Sequence, residues 1–417
     1  MELYTVYLWL AVIFGFLMAW GIGANDVSNA MGTAVGSKSI SIRQAIIIAA
    51  IFEFLGALLA GGEVANTIKE NIIDTSSLIN NQDVICIGML SSLLSASCWL
   101  LIASVLGWPV STTHTIVGAI VGFGITNIGF NAINWETFFS ILLGWLFSPL
   151  IGAALSFGLF TTIRKFIFEQ PEPYKASTKV VPFYIFLCIF IVFMITASKI
   201  HNVGIVLTNN QSLLTSFAVA LAAAIIGYFI IKSPAYSFAD KKKSSYHNVE
   251  KTFSVLMIFT ACAMAFAHGS NDVANAIGPV SAIVAIAEQR NNSVSIVPIW
   301  VLLTGATGII TGLVTYGHKV IATVGTKITL LTPSRGFCAT LSAAVTVLLA
   351  SSTGLPISTT HTLVGGILGI GLARGVHALN LNVIRSIFAS WVITFPAGAI
   401  LSTIFFKFLT WIFSRFA

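Results

Sequence analysis

The chain has 417 residues, and only 8% of them are charged, against roughly 25% in an ordinary soluble domain. Hydrophobic residues make up 56% and the mean hydropathy is +0.93, which excludes a soluble globular protein, a disordered chain and a secreted disulfide scaffold. The net charge of +7 sits mainly in short loops between apolar runs, so it reads as positive-inside bias and not as a nucleic-acid surface.

Apolar segments run at 4–20, 45–60, 84–106, 135–163, 181–198, 213–231, 253–266, 296–316, 337–350 and 383–411. Most reach the ~17–25 residues that a bilayer-spanning helix needs. They are continuous, unlike the alternating segments of about ten residues in an outer-membrane barrel. The first ten residues hold Glu2 and no Lys or Arg, so the first run is expected to be a retained helix and not a signal peptide. Cys86, Cys98, Cys188, Cys262 and Cys338 lie in or at the ends of apolar runs with no metal-ligand spacing, as reduced packing residues do. Four more stretches, 21–36, 109–124, 269–283 and 356–371, are apolar but rich in Gly, Ser, Thr and Asn. They do not read as simple spans; Gly and Asn-Asp are expected to interrupt the helices that carry them.

Two linkers are basic: 161–180, with Arg164, Lys165, Lys175 and Lys179, and 232–251, with Lys232, Lys241, Lys242, Lys243 and Lys251. Two spans separate them, so both face the same side, and positive-inside bias makes that side the cytoplasm.

The chain is an internal duplication. The ten residues from Gly23 to Gly32 return from Gly269 to Gly278 with seven identities. The sixteen from Pro109 to Gly124 return from Pro356 to Gly371 with eleven. The offsets are 246 and 247 residues, so the spacing between the motifs is kept as well. The expected organisation is a first repeat at 1–165, two linking spans at 166–250, and a second repeat at 251–417. If each Ser-Thr-Thr-His segment helps complete a crossing, five crossings per repeat and two linking spans put equivalent points an odd number of crossings apart and the repeats are inverted. If both motif segments of each repeat are purely re-entrant, the count is even and the repeats are parallel. Inversion is favoured because it lets two equivalent half-sites face each other. The predicted fold is therefore an all-α membrane protein of about 12 membrane segments, some broken or half-length, in two inverted repeats that face each other at the midplane.

In Pro-x-Ser-Thr-Thr-His, Pro suits a first helical turn and Ser and Thr suit an N-cap. Ser111, Thr112 and Thr113, and likewise Ser358, Thr359 and Thr360, are therefore read as helix N-termini, with free N–H groups, hydroxyl donors and about +0.5 of charge each: an anion site. In Gly-x-Asn-Asp-Val-x-Asn-Ala, Asp26 and Asp272 are carboxylates at membrane depth, where ionisable groups are costly and functional. Asn25, Asn29, Asn271 and Asn275 add amide oxygens, and the whole set suits a hard cation such as Na⁺. An anion of one to two charges beside two carboxylates totals about −3 to −4, while two helix N-termini return only about +1. Neither motif holds Lys or Arg, so co-bound cations or protonated Asp must make up the difference, which implies cation-coupled anion transport. Glu53, His114 and His361 are read as supporting residues. His268 stands where the first copy has Ile22 and is given no role. The chain lacks a P-loop motif, so an ion gradient is the expected energy source.

At these residues the chain resembles the inorganic phosphate transporter family, the Pit-type permeases, with one motif at 23–30 and 269–276 and the other at 109–114 and 356–361. The stretch from Thr332 to Phe337 is also similar. The resemblance implies a phosphate symporter driven by Na⁺ or H⁺, with no further cofactor, in the bacterial inner membrane and in contact with its lipids, acting as a homodimer. It implies phosphate on Ser111, Thr112, Thr113, Ser358, Thr359 and Thr360 near Asp26 and Asp272. It also implies coupling cations on Asn25, Asp26, Asn29, Asn271, Asp272 and Asn275. Thr340 stands where the family often has a glutamate, and Glu53 is taken as the first-repeat counterpart of that glutamate. Sulfate permeases are relatives. Outside the class, an anion channel, or a hydrolase pairing Ser111 with His114, would use the same residues; the hydrolase lacks a third orienting group, and the chain is read as no enzyme.

Overall fold

A chain this apolar must satisfy its backbone N–H and C=O groups within each segment, because lipid offers no partners, and helices do so. The computed structural model describes residues 2–73, 82–106, 108, 110–197, 207–233, 245–288, 297–317, 331–375 and 381–415. Pro109 and most of 232–251, Lys241–Lys243 included, lie outside the described residues. The described residues form thirteen α-helices: α1 (Glu2–Gly36), α2 (Ile42–Ala60), α3 (Gly62–Asn66), α4 (Gln82–Leu106), α5 (Thr112–Asn127), α6 (Trp135–Ile163), α7 (Pro173–Ala197), α8 (Asn209–Lys232), α9 (Ser245–Ala287), α10 (Ile299–Gly312), α11 (Pro333–Ser352), α12 (Thr359–Arg374) and α13 (Leu381–Phe413). They include no strand, only an isolated bridge between Ile73 and Ile133. Ten of the helices are long and apolar enough to cross a membrane; α5 and α12, of 16 residues each, are half-length.

One expectation fails here. The Asn-Asp motifs do not interrupt their helices: α1 runs unbroken for 35 residues and α9 for 43. Asn and Asp are poor helix formers at about half a kcal/mol per residue, whereas an unsatisfied backbone group in lipid costs several kcal/mol. The helix therefore continues through them.

Helices α4 and α5 run antiparallel, so that Gly88 near the start of α4 meets Phe123 near the end of α5, and the pair returns to the end of the bundle from which it set out. An out-and-back pair leaves the parity of crossings unchanged. Between the starts of α1 and α9 the chain crosses on α1, α2, α6, α7 and α8, an odd number, and the repeats are inverted.

Glycines set how the repeats interlock. Gly23 on α1 lies against the carbonyl of Ile309 on α10, and Gly269 on α9 lies against that of Glu53 on α2. Gly118 on α5 meets the Phe395 carbonyl on α13, and Gly365 on α12 meets that of Pro149 on α6. Each contact joins one repeat to the other, and each has its equivalent. Backbones come this close only where no Cβ intervenes. The outward faces of α6, α8 and α13 present Phe147, Leu150, Leu214, Phe229, Val392 and Ile400 as the exposed apolar band of a lipid-facing surface.

The equivalences correct a second expectation. Glu53 on α2 corresponds to Ile309 on α10, because each offers its carbonyl to the matching motif glycine. Thr340 lies on α11, the counterpart of α4, so Glu53 is not its partner by repeat. The Thr340 hydroxyl instead meets that of Thr33 at 2.6 Å, across the repeats.

Candidate binding site

The two polar motifs of each repeat meet at the crossing of α1 and α9, where all twelve motif residues read from the sequence as ligands are buried. Asp26 is 1% exposed and Asp272 0%. One ligand atom each from Asp26, Asp272 and His268 lie within 4.8 Å of one another.

The Ser-Thr-Thr-His segments are helix N-termini, as their composition requires. Ser111 and Ser358 are N-caps with extended backbones, and each Oγ accepts from the N–H of the following His at 3.2 Å. Each hydroxyl proton is left to donate. The two N-termini point at each other: Thr113 Oγ1 donates to the Ile357 carbonyl at 3.0 Å, and Thr360 Oγ1 to the equivalent Val110 carbonyl at 3.4 Å. Two N-termini converging in one buried volume give about +1 of fixed charge and a fan of N–H and O–H donors.

Asparagines tie these N-termini to the long helices, again across the repeats. Asn29 Nδ2 donates to Thr360 Oγ1 at 2.7 Å and to Asp26 Oδ1 at 3.3 Å. Asn275 Nδ2 donates to Thr112 and Thr113 Oγ1 at 3.3 and 3.2 Å. The outer asparagines bond within their own repeat: Asn25 Nδ2 donates to Ser104 Oγ at 3.1 Å, and Asn271 meets the equivalent Ser351 Oγ at 3.0 Å. With the Asn271 amide turned to satisfy both its ends, its nitrogen donates to the Ile357 carbonyl at 3.0 Å and to Asp272 Oδ1 at 3.1 Å.

His114 and His361 stand behind the two N-termini. Their rings meet edge to face at 4.3 Å, and each stacks on a tryptophan, His114 on Trp145 at 3.7 Å and His361 on Trp391 at 3.5 Å. Trp145 Nε1 donates to the Pro356 carbonyl at 3.2 Å. Both imidazoles therefore sit within aromatic packing that holds the half-helices in place. The stacked tryptophans carried no signal in the sequence beyond their near-equal spacing from the histidines.

His268 was missed, and it lies at the centre. Its Nδ1 is 3.0 Å from Glu53 Oε1 and its Nε2 is 2.9 Å from Asp272 Oδ2, with all three side chains fully buried. Glu53 thus faces a partner. The signal was available: His268 and Asp272 are four residues apart, on one helical face.

Hydroxyl and N–H donors of two helix N-termini, set against carboxylate and amide oxygens, can hold an anion and a hard cation side by side. Inside ten apolar helices and an inverted duplication, this defines a membrane transport protein with a central site. The sequence profile of the phosphate transporter family matches residues 22–402, and the chain belongs to that family. A Haemophilus influenzae protein provisionally named a phosphate permease is 49% identical over 99% of this chain and 100% of its own length. The chloroplastic inorganic phosphate transporter 2-1 of Arabidopsis thaliana is 40% identical over 97% of this chain and 72% of its own. A solved structure described as the sodium-dependent phosphate transporter is 41% identical, covers 98% of this chain and 100% of its own, and superposes with a TM-score of 0.91.

Proposed function

We propose that the chain is a secondary active symporter that carries inorganic phosphate inward with Na⁺. The observation that carries this reading is the convergence of two half-helix N-termini, capped by Ser111 and Ser358, on the same buried volume as Asp26 and Asp272. Phosphate would be held by N–H groups and by Ser111, Thr112, Thr113, Ser358, Thr359 and Thr360. A phosphate beside two ionised aspartates is unfavourable in a low dielectric unless cations enter with it. Coupling is therefore the price of the site's own charge. The ligand candidates are Asn25, Asp26, Asn29, Asn271, Asp272 and Asn275, all oxygen donors suited to a hard cation. The choice of Na⁺ over H⁺ is favoured by the likeness to a transporter described as sodium-dependent. Loops 161–180 and 232–251 would face the cytoplasm by their charge, and alternating access would rock one set of interlocked helices against the other.

The test is uptake of labelled phosphate into liposomes holding the purified protein, under a Na⁺ gradient, an H⁺ gradient or neither, with sulfate as competitor. Accumulation above equilibrium under the Na⁺ gradient alone is the expected result. Equilibration without accumulation under any gradient would make the protein a channel, and inhibition by sulfate at low concentration would change the substrate.

A further inference from the structure

Beside the site, between the ends of α2, α7 and α11, lies a cavity whose walls include Ala60, Thr196, Ser270, Leu348, Ser351 and Ser352. It offers a water-sized sphere about 10 Å³, room for a single water. Its polar side chains are all hydroxyls, and their protons are turned to the protein. Thr196 Oγ1 donates to the Val192 carbonyl at 2.8 Å, Ser270 Oγ to that of Ala267 at 2.7 Å, and Ser352 Oγ to that of Leu349 at 2.7 Å. Ser351 Oγ donates to the oxygen of the turned Asn271 amide at 3.0 Å and lies 3.5 Å from Ser270 Oγ. The cavity is thus offered oxygen lone pairs, and Ser351 joins them to a motif asparagine.

Topology puts this cavity on the outer side of the site. With the two basic loops in the cytoplasm, α2 and α7 run outward and end at it. Helix α11 starts at the cytoplasmic end, where the Ser334 N–H donates to Glu250 Oε2 at 2.8 Å, and its last residues reach the cavity. The equivalent place in the first repeat faces the cytoplasm and is built differently. Ser104 keeps the place of Ser351 there, but Ala24 stands for Ser270 and Val105 for Ser352. Thr196 belongs to a linking span outside the repeats. An acid stands at the outer mouth: Glu63 follows Ala60 by three residues, and its carbonyl lies 3.4 Å from where a Cβ on Gly354, just past α11, would sit.

We propose that this cavity is the narrowed outer port by which a cation enters the protein, with Thr196, Ser270, Ser351 and Ser352 as its oxygen lining. Lone pairs replace part of a cation's water shell, whereas an anion on this route meets acceptors only. A carboxylate at the mouth raises the local concentration of cations. The port rests on the Na⁺ symport reading and adds a route to it. The inner counterpart lacks two of the hydroxyls, so the oxygen-lined route serves entry and not release.

The experiment is phosphate uptake under a Na⁺ gradient in right-side-out membrane vesicles holding the full-length protein, with cysteine placed at the port. Ser352→Cys is treated with a membrane-impermeant cationic methanethiosulfonate or with its anionic counterpart, and wild-type vesicles control for the native cysteines. Ser352→Cys is expected to lose uptake, about tenfold faster with the cationic reagent, and Na⁺ alone is expected to slow the reaction. Thr196→Cys, on a different helix, carries the same expectation and keeps the test decisive if the first variant fails to assemble. Val105→Cys is expected to react in inside-out vesicles only. Faster reaction with the anionic reagent, slowed by phosphate, would make the port an anion route and overturn the proposal. Labelling that leaves uptake intact, or that occurs only from the inner face, would overturn it as well. In both cases Na⁺-driven uptake by the wild type would still stand. Wild-type vesicles that accumulate no phosphate under a Na⁺ gradient would overturn the symport reading itself, and the port with it.

Discussion

Asn29 and Thr360 lie 331 positions apart in the sequence, and the amide of the first donates to the hydroxyl of the second at 2.7 Å inside the bundle. The bond joins the long helix of one repeat to the half-helix of the other. Its equivalent, Asn275 to Thr113, does the same in reverse at 3.2 Å. Removing one partner of a buried hydrogen bond leaves the other unsatisfied, at about 1–3 kcal/mol. Asn29→Ala is expected to raise the KM for phosphate by roughly tenfold or more, with the protein still folded. Titration of uptake against phosphate concentration checks this; an unchanged KM would remove Thr360 from the substrate's surroundings.

Ser111 caps α5 through the His114 N–H. An N-cap contributes about 1 kcal/mol, and its hydroxyl proton remains available to donate to an anion. Ser111→Ala is expected to lower phosphate affinity by about tenfold while Na⁺ binding without phosphate stays as in the wild type. Paired binding isotherms for the two ions decide it, and an equal loss of both would show that α5 itself had frayed.

Trp145 holds the second half-helix from behind, through its bond to the Pro356 carbonyl and its stack on His114. Trp145→Phe keeps the ring and loses the N–H. The orphaned carbonyl costs about 1–3 kcal/mol, and the loss falls on the segment that presents Ser358. Slower uptake at saturating phosphate is the expected reading, together with a lower thermal unfolding midpoint in detergent. A normal maximal rate would mean that the segment is held without this bond.

Two glycines offer a paired control on packing. A Cβ at Gly365 would run into the Pro149 carbonyl, which no rotamer change can move, whereas a Cβ at Gly158 meets nothing within 4 Å. Gly365→Ala is expected to destabilise by about 1–3 kcal/mol or more through overpacking. Gly158→Ala is expected to be neutral or stabilising by up to ~1 kcal/mol through helix propensity. Unfolding midpoints of the two variants in one detergent make the comparison, and similar midpoints would argue against the close crossing of α6 and α12.

Much of this was legible because the duplication exposed it. Ser111 and Ser358 read as N-caps from Pro-x-Ser-Thr-Thr alone, since that chemistry is local. The inversion was expected on the premise that each Ser-Thr-Thr-His segment helps complete a crossing. That premise fails, because α4 and α5 are an out-and-back pair, and the count is odd for another reason, that the Asn-Asp motifs lie in unbroken spans. Asp26 and Asp272 misled as helix breakers, because their polarity looked like an interruption while the lipid setting enforces a continuous backbone. Gly23 and Gly269 signalled close helix crossings instead, and only the fold shows which carbonyls they meet. His268 escaped because it breaks the repeat, and a reading built on what recurs passes over what does not. The equivalence assumed between Glu53 and Thr340 failed for the opposite reason: it paired an acid in one repeat with the position of the family's acid in the other, yet the two sit on helices of different rank within their repeats.

The interlocking of the repeats bears on how the chain is made. While only the first repeat has left the ribosome, Gly23 and Gly118 have no carbonyls to meet, because Ile309 and Phe395 belong to helices not yet synthesised. Early helices must then wait in the membrane with small-residue stripes exposed to lipid and Asp26 unshielded. Assembly becomes a late event, completed when α13 inserts. Two separately produced fragments, divided between α8 and α9, would need each other to mature, and each alone would be prey for membrane proteases.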